Sequence, residues 1–191
     1  MSTSEVAFEQ IIATLKRATA ALKEAGVPFM LGGSLAVFAR GGPESSSDLD
    51  LMVKPEDAER ALDVLVGLDM RRDDPPEDWL LKAWDGDVLV DLIYLPLGLR
   101  VDDELLESAD KMNVFSIYMP VMQLEDVFAT KLLSLNDHYL DYAGLLKLVR
   151  AVREQVDWEA VRDRTSGSPY ARGFFALLDE LDVVPAGGVA S

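Results

Sequence analysis

The sequence predicts an α/β protein of the α+β kind, with a small mixed β-sheet flanked by helices and followed by a helical region. Three observations carry that expectation. Helix-spaced and strand-like segments alternate between residues 5 and 118, whereas segments of purely helical periodicity follow one another from residue 124 to 181. Of the 191 residues, 49% are hydrophobic, enough to close the core of one domain or two small ones. The division expected is 1–119 for a sheet-bearing domain, 120–184 for a helical region closing over its cleft, and 185–191 for a flexible tail.

From Glu5 to Ala25, Phe8, Ile11, Ile12, Leu15, Ala18 and Leu22 recur largely at spacings of three and four, an amphipathic helix that Gly26 ends. Pro28 to Leu31 reads as a short buried strand, and Gly32-Gly33-Ser34 then leads into a short helix from Leu35 to Arg40. Asp48 to Val53 is a strand by its alternation, and Lys54-Pro55-Glu56 opens a helix running to Leu68. Met70 to Pro76 is polar and proline-containing and reads as a loop. Trp79 to Trp84 and Val88 to Tyr94 form two strands turning at Asp85-Gly86-Asp87. A short helix from Asp103 to Ala109 and a strand from Val114 to Tyr118 complete this half. Helices are then expected over 124–135, 139–152, 158–164 and 170–181.

Composition removes several kinds of chemistry. With no cysteine there are no disulfides, thiolate zinc sites or thiol nucleophiles, and one histidine, His138, rules out a His-rich metal centre. No apolar run reaches the roughly eighteen residues needed to cross a bilayer. Met1 to Gln10 lacks a basic n-region, so the cytoplasm is the expected compartment. The formal charge of −16, from 34 acidic against 18 basic residues, opposes simple electrostatic capture of nucleic acid and favours cationic partners.

The chemistry concentrates in three places. Side chains two apart on a strand point the same way, so Asp48 and Asp50 stand together while Leu49 and Leu51 enter the core. Such a pair suits Mg2+, which takes one or two carboxylates and fills its shell with water and phosphate; a solvated strand edge is the plainer alternative. Gly32-Gly33 lets backbone amides approach a phosphate, and Ser34 adds a hydroxyl at a helix start, although such a turn also serves as an ordinary connection. Asp91 interrupts the apolar run from Val88 to Tyr94, where a carboxylate is costly unless it binds a metal, moves a proton or turns to solvent. The triplet Ser45 to Ser47 precedes the metal strand, where an added phosphate would compete for the same space.

Leu31-Gly32-Gly33-Ser34, then Asp48-Leu49-Asp50, then Asp91 on a later strand resembles the DNA polymerase beta-like nucleotidyltransferase superfamily. Within it, Leu124-Glu125-Asp126 and Ala129-Thr130-Lys131-Leu132-Leu133 make the chain similar to bacterial AbiEii/MenT toxin-type nucleotidyltransferases over about residues 27–150. The resemblance implies a nucleotidyltransferase fold, Mg2+, and an NTP co-substrate, with CTP and ATP both open. It implies that Gly32, Gly33 and Ser34 hold the triphosphate, that Asp48, Asp50 and Asp91 serve metal and proton transfer, and that Lys131 contacts the phosphates. It places a further acid at Asp141, with Asp137 as a competing position.

The toxin-type resemblance implies transfer to the tRNA 3' end under control of a cognate antitoxin protein, with no membrane involved. Arg71, Arg72, Lys82, Arg100, Lys147, Arg150 and Arg153 are the candidates for the basic patch this needs. The alternative is an antibiotic nucleotidyltransferase acting on an aminoglycoside-like cation, which the acidity favours. A catalytically silent binding module is a third reading, opposed by three intact acids.

Overall fold

The computed structural model describes residues 3–44 and 48–184, with side chains from Phe8 onward. The Ser45 to Ser47 triplet and the tail at 185–191 lie outside the described residues. In the first half, α1 (Thr3–Glu24), β1 (Phe29–Leu31), α2 (Gly33–Phe38) and β2 (Leu49–Val53) lead through a 3-10 turn at Pro55–Asp57 into α3 (Ala58–Val66). Next come β3 (Arg71–Asp73), β4 (Leu80–Asp85), β5 (Val88–Ile93), α4 (Asp103–Ser108), β6 (Asp110–Val114) and β7 (Ile117–Val121). The chain closes with α5 (Leu124–Leu133), α6 (Tyr142–Val152), α7 (Trp158–Thr165) and α8 (Pro169–Glu180).

The strands form one seven-stranded sheet in the order β3-β4-β5-β2-β1-β7-β6. It is mixed: β2 runs parallel to β5 and β1 parallel to β7, while the other pairs are antiparallel. Strand alternation divides its residues between two faces. Leu49, Leu51, Val90 and Leu92 are fully buried on one of them, beside α1 and α3, which pack on the sheet and on each other.

The apolar spacing of α1 explains its place. Ile11, Leu15, Ala18 and Leu22 are buried, and Gly26, at φ +65, ends the helix in a conformation that side chains resist. Two polar ties fix its direction. Thr14 Oγ1 donates to Asp85 Oδ2 at 2.7 Å, and Arg17 Nη1 donates to Asp85 Oδ1 at 2.6 Å, so the β4–β5 turn is pinned to the helix. Beyond the sheet, α5 packs against α2 and α7. Phe128 meets Trp158 with ring centroids 4.9 Å apart, and Arg164 pairs with the buried Asp126 at 2.7 Å. α6, α7 and α8 start on side-chain caps supplied by Asp141, Asp157 and Ser168.

Two segments depart from the expectation. Arg71–Asp73, within the expected loop, is an edge strand in register with β4, pairing Arg72 with Ala83. Its residues are charged because the edge faces water, which conceals the strand from a hydrophobicity pattern. The expected strand from Val114 to Tyr118 is instead the turn of a hairpin between β6 and β7. Phe115 and Ser116 stand at φ +51 and +70, the backbone of a two-residue hairpin turn. Neither is a glycine, asparagine or aspartate, so the usual turn signal is missing.

Candidate active site

The geometry of the site begins with strand register. β1 and β2 pair so that Gly32 N–H donates to the Asp50 carbonyl at 2.9 Å, placing the glycine turn beside the strand that carries Asp50. Gly33 stands at φ +58, and a Cβ there would overlap the Asp50 carboxylate. Both features demand glycine: the backbone is left-handed and the acid occupies the space a side chain would take. Gly33 opens α2, so Ser34 lies in its first turn.

β2 and β5 then set the acids. Asp50 and Asp91 are register partners across this parallel pair, and paired residues share a face of the sheet. Asp48 lies one residue before β2 and is exposed, Asp50 is half-buried, and Asp91 is 8% exposed. The solvent-facing alternative for Asp91 is therefore overturned, because its face of β5 is covered at that position. Asp91 Oδ1 is buried with no hydrogen-bond partner, a costly state for a carboxylate.

Burial, with the Asp50 charge next in weight, pushes the Asp91 carboxyl up to about 7, and Lys82 opposes the rise. Lys82 is the partner of Asp91 on β4. Burial also raises Asp50 to about 6, with Lys131 holding it down and Asp48 pushing it up. An oxygen-rich set at which protons are held this tightly is one where a divalent cation would compete for them. Among the described residues, no three His, Cys, Asp or Glu side chains are grouped closely enough to hold a metal ion by themselves.

From the helical half, Lys131 on α5 reaches across to donate from Nζ to Ser34 Oγ at 3.2 Å. A cleft of 530 Å³ opens above this contact, with Ser34, Asp48, Asp50 and Lys131 at one end. Tyr139, Leu145, Leu148 and Lys147 line the rest, together with Asp141. Of the two competing acids, Asp141 borders this cleft; it also caps α6 by accepting from Gly144 N–H at 2.8 Å. Asp137 instead accepts from the Tyr170 hydroxyl and is absent from the cleft lining.

The structure thus brings Ser34, Asp48, Asp50, Lys131 and Asp141 around one cleft, with Gly32 and Gly33 beneath Asp50 and Asp91 beside it. Sequence reasoning missed Tyr139 as a lining residue and Lys82 as the neighbour of Asp91. The second was recoverable: Asp85 pairs with Val88 in the β4–β5 hairpin, and counting back along both strands from that pair brings Lys82 opposite Asp91. Three of the seven residues expected to form the basic patch are engaged with neighbours. Arg71 lies over the Trp84 ring at 5.7 Å, Arg72 pairs with Glu59 and Asp74, and Arg153 pairs with Glu154.

Residues 11–169 match the model of a family described as "Nucleotidyl transferase of unknown function (DUF2204)". Among curated proteins, none matches the chain by sequence. In structure the chain is similar to the antibiotic-resistance factor ANT(2")-Ia, crystallised with adenylyl-2"-tobramycin, with a TM-score of 0.63 at 17% identity over 86% of this chain and 98% of that one. It is similar to a Thermotoga maritima protein assigned as a nucleotidyltransferase, with a TM-score of 0.52 at 16% identity over 76% and 92%. A lincomycin-bound lincosamide antibiotic adenylyltransferase, LnuA, gives a TM-score of 0.54 at 10% identity over 75% and 97%. At these identities the likeness establishes the fold, a mixed sheet with flanking helices.

Proposed function

The chain belongs to the nucleotidyl transferase family that its residues 11–169 match, so it is a nucleotidyltransferase, and we propose that it moves a nucleoside monophosphate from an NTP onto an acceptor hydroxyl with Mg2+. The observation that carries this reading is the register pairing of Asp50 with Asp91, whose buried Oδ1 lacks a partner, beside the Gly33 turn and the Ser34–Lys131 contact. In this proposal Asp48 and Asp50 hold the cation, Asp91 is the third carboxylate, and the helical region at 120–184 closes the cleft.

The donor set fits magnesium: it consists of oxygen ligands, and one of them is a buried carboxylate in need of a positive partner. When bound, the ion would neutralise phosphate charge and make the attacking hydroxyl more acidic. The chain's own residues do the rest. The Gly33 amide, the Ser34 hydroxyl and Lys131 receive the triphosphate, while the Gly32 N–H stays with the Asp50 carbonyl and ties the turn to β2. Asp91, whose carboxyl pKa is raised by burial in the metal-free chain, is the acceptor of the attacking hydroxyl's proton in this proposal. As the new oxygen–phosphorus bond forms at the α-phosphate, the bond to the β-phosphate breaks, and Lys131 offsets the charge of departing pyrophosphate. Asp141 and Lys147, which line the same cleft, would contact the nucleoside.

For the acceptor, a small hydroxyl-bearing molecule is favoured over the tRNA 3' end. Three of the five arginines expected to bind RNA, Arg71, Arg72 and Arg153, are engaged with Trp84, Glu59, Asp74 and Glu154, and the chain carries a charge of −16. The AbiEii/MenT toxin-type reading, with its tRNA substrate and cognate antitoxin, keeps one specific point in its favour: Lys147 opens on the cleft, and the exposed Arg150 follows on the same helix.

The deciding experiment incubates the protein with each α-labelled NTP and Mg2+, separately with total bacterial tRNA and with kanamycin, beside an Asp48→Ala control. Label on the aminoglycoside, lost in the variant, supports the small-molecule reading, and label on tRNA supports the toxin-type reading. Failure to bind any NTP with Mg2+ would refute nucleotidyl transfer.

A further inference from the structure

A second pocket opens onto Asp50. Its volume is 140 Å³, and Met52, Trp79, Ile93, Pro96 and Leu97 supply its apolar walls. It shares Asp50, Lys131 and Ser134 with the larger cleft, so the two cavities meet at the same carboxylate. Met52 and Ile93 are register partners, one strand repeat beyond Asp50 and Asp91 and on the same face of the sheet. The loop forming its outer wall is packed on the helical half: Gly98, at φ +78, leaves no room for a Cβ against Leu133 of α5. Trp79 and Leu97 nevertheless remain 38% and 54% exposed at the rim.

Resting on the proposed nucleotidyl transfer, we infer that this pocket is the acceptor subsite and that the acceptor is a small molecule whose hydroxyl adjoins an alkyl or aromatic group. In-line displacement requires the attacking oxygen and the departing pyrophosphate to lie on opposite sides of the α-phosphorus. With triphosphate in the cleft that holds the Ser34–Lys131 contact, the apolar pocket supplies the other approach. The acceptor's O–H attacks phosphorus there, its proton passes to Asp91, and the electron pair of the broken bond leaves with pyrophosphate.

The lining selects among acceptors by charge. Among the described residues its one cation is Lys131, which the triphosphate takes in this reading, so a polyanionic RNA backbone gains little. Its one carboxylate is Asp50, so a polycationic sugar finds no set of acids to replace its hydration. The apolar walls reward an uncharged group, and the volume is close to that of an apolar cavity of about 150 Å³ that takes a benzene-sized guest.

The test uses the full chain with labelled NTP and Mg2+, offered 2-phenylethanol, glycerol, kanamycin or total tRNA. Leu97→Asp and Trp79→Ala are compared with the parent at two exposed rim positions, with the melting temperature checked for each. The expected result is transfer to 2-phenylethanol in preference to glycerol, with kcat/KM for that alcohol reduced about 10-fold or more in Leu97→Asp while Mg-NTP affinity holds. Transfer to tRNA or kanamycin that proceeds equally in parent and both variants would overturn the assignment, as would intact Mg-NTP binding with no transfer to the alcohol. Loss of Mg-NTP binding in the parent would instead remove the nucleotidyl-transfer reading beneath it.

Discussion

Replacing Asp91 by asparagine should make the metal-free protein more stable at pH 8 while removing its activity. The carboxyl is 8% exposed, with Oδ1 unpartnered, and its proton affinity is raised from the ordinary 3.8 to about 7. An acid that holds its proton more tightly when folded supports the fold most below pH 4 and loses that contribution as pH rises through 7. A rise of about three pH units at about 1.4 kcal/mol each gives a burden near 4 kcal/mol at pH 8. At pH 5 the folded carboxyl is already protonated, and only the smaller part of that burden remains. Asparagine of the same shape carries no titrating charge. Its stability advantage over the parent should therefore grow by about 2–3 kcal/mol between pH 5 and pH 8, or roughly 5–10 °C for a chain of this size. Thermal melts in chelator across that range measure it. An advantage that does not change with pH, or a variant less stable than the parent at pH 8, would refute the claim that Asp91 is an unsatisfied buried acid. Transfer activity should fall at least about 100-fold in the same variant, the usual scale for losing a proton acceptor.

Gly33→Ala should reduce kcat/KM by about 100-fold or more, because its Cβ overlaps the Asp50 carboxylate and its φ is +58; steady-state kinetics would show it, and near-normal activity would contradict the packing described. Lys131→Met should raise KM for the NTP by about 10-fold through loss of a phosphate contact. Because Lys131 lowers the Asp50 pKa, its loss should also move Mg2+-dependent NTP binding to higher pH in a titration. Asp141→Asn should keep the α6 cap while Asp141→Ala loses about 1 kcal/mol of stability; urea unfolding reads the cap, and a drop in activity with Asn alone would mark Asp141 as a functional carboxylate.

Much of this site could be read from local sequence because it is assembled from neighbouring segments. The Gly32-Gly33-Ser34 turn follows a short aliphatic strand, Asp48 and Asp50 are two residues apart, and Asp91 interrupts an apolar run. Strand periodicity alone gives those acids their direction. What stayed hidden depends on contacts that local pattern does not encode. The charged edge strand Arg71–Asp73 carries no hydrophobic alternation, and Phe115-Ser116 makes a left-handed turn without glycine or asparagine. Tyr139 comes to the cleft only through the packing of α5 and α6 on α2, and Arg71 and Arg72 meet Trp84 and Glu59 only in the folded chain. The distinction between Asp137 and Asp141 has the same origin: one is drawn to Tyr170 and the other caps a helix at the mouth of the cleft.

The central claim, transfer of a nucleoside monophosphate by the Asp48–Asp50–Asp91 site, is tested most directly by the position of the label. The protein is incubated with Mg2+ and an acceptor panel in parallel with NTP labelled at the α-phosphate or at the γ-phosphate. The account predicts that α-label moves to the acceptor, that γ-label leaves as pyrophosphate, and that both signals vanish in Asp50→Asn. γ-Label on the acceptor, or α-label transfer that survives Asp50→Asn, would contradict it.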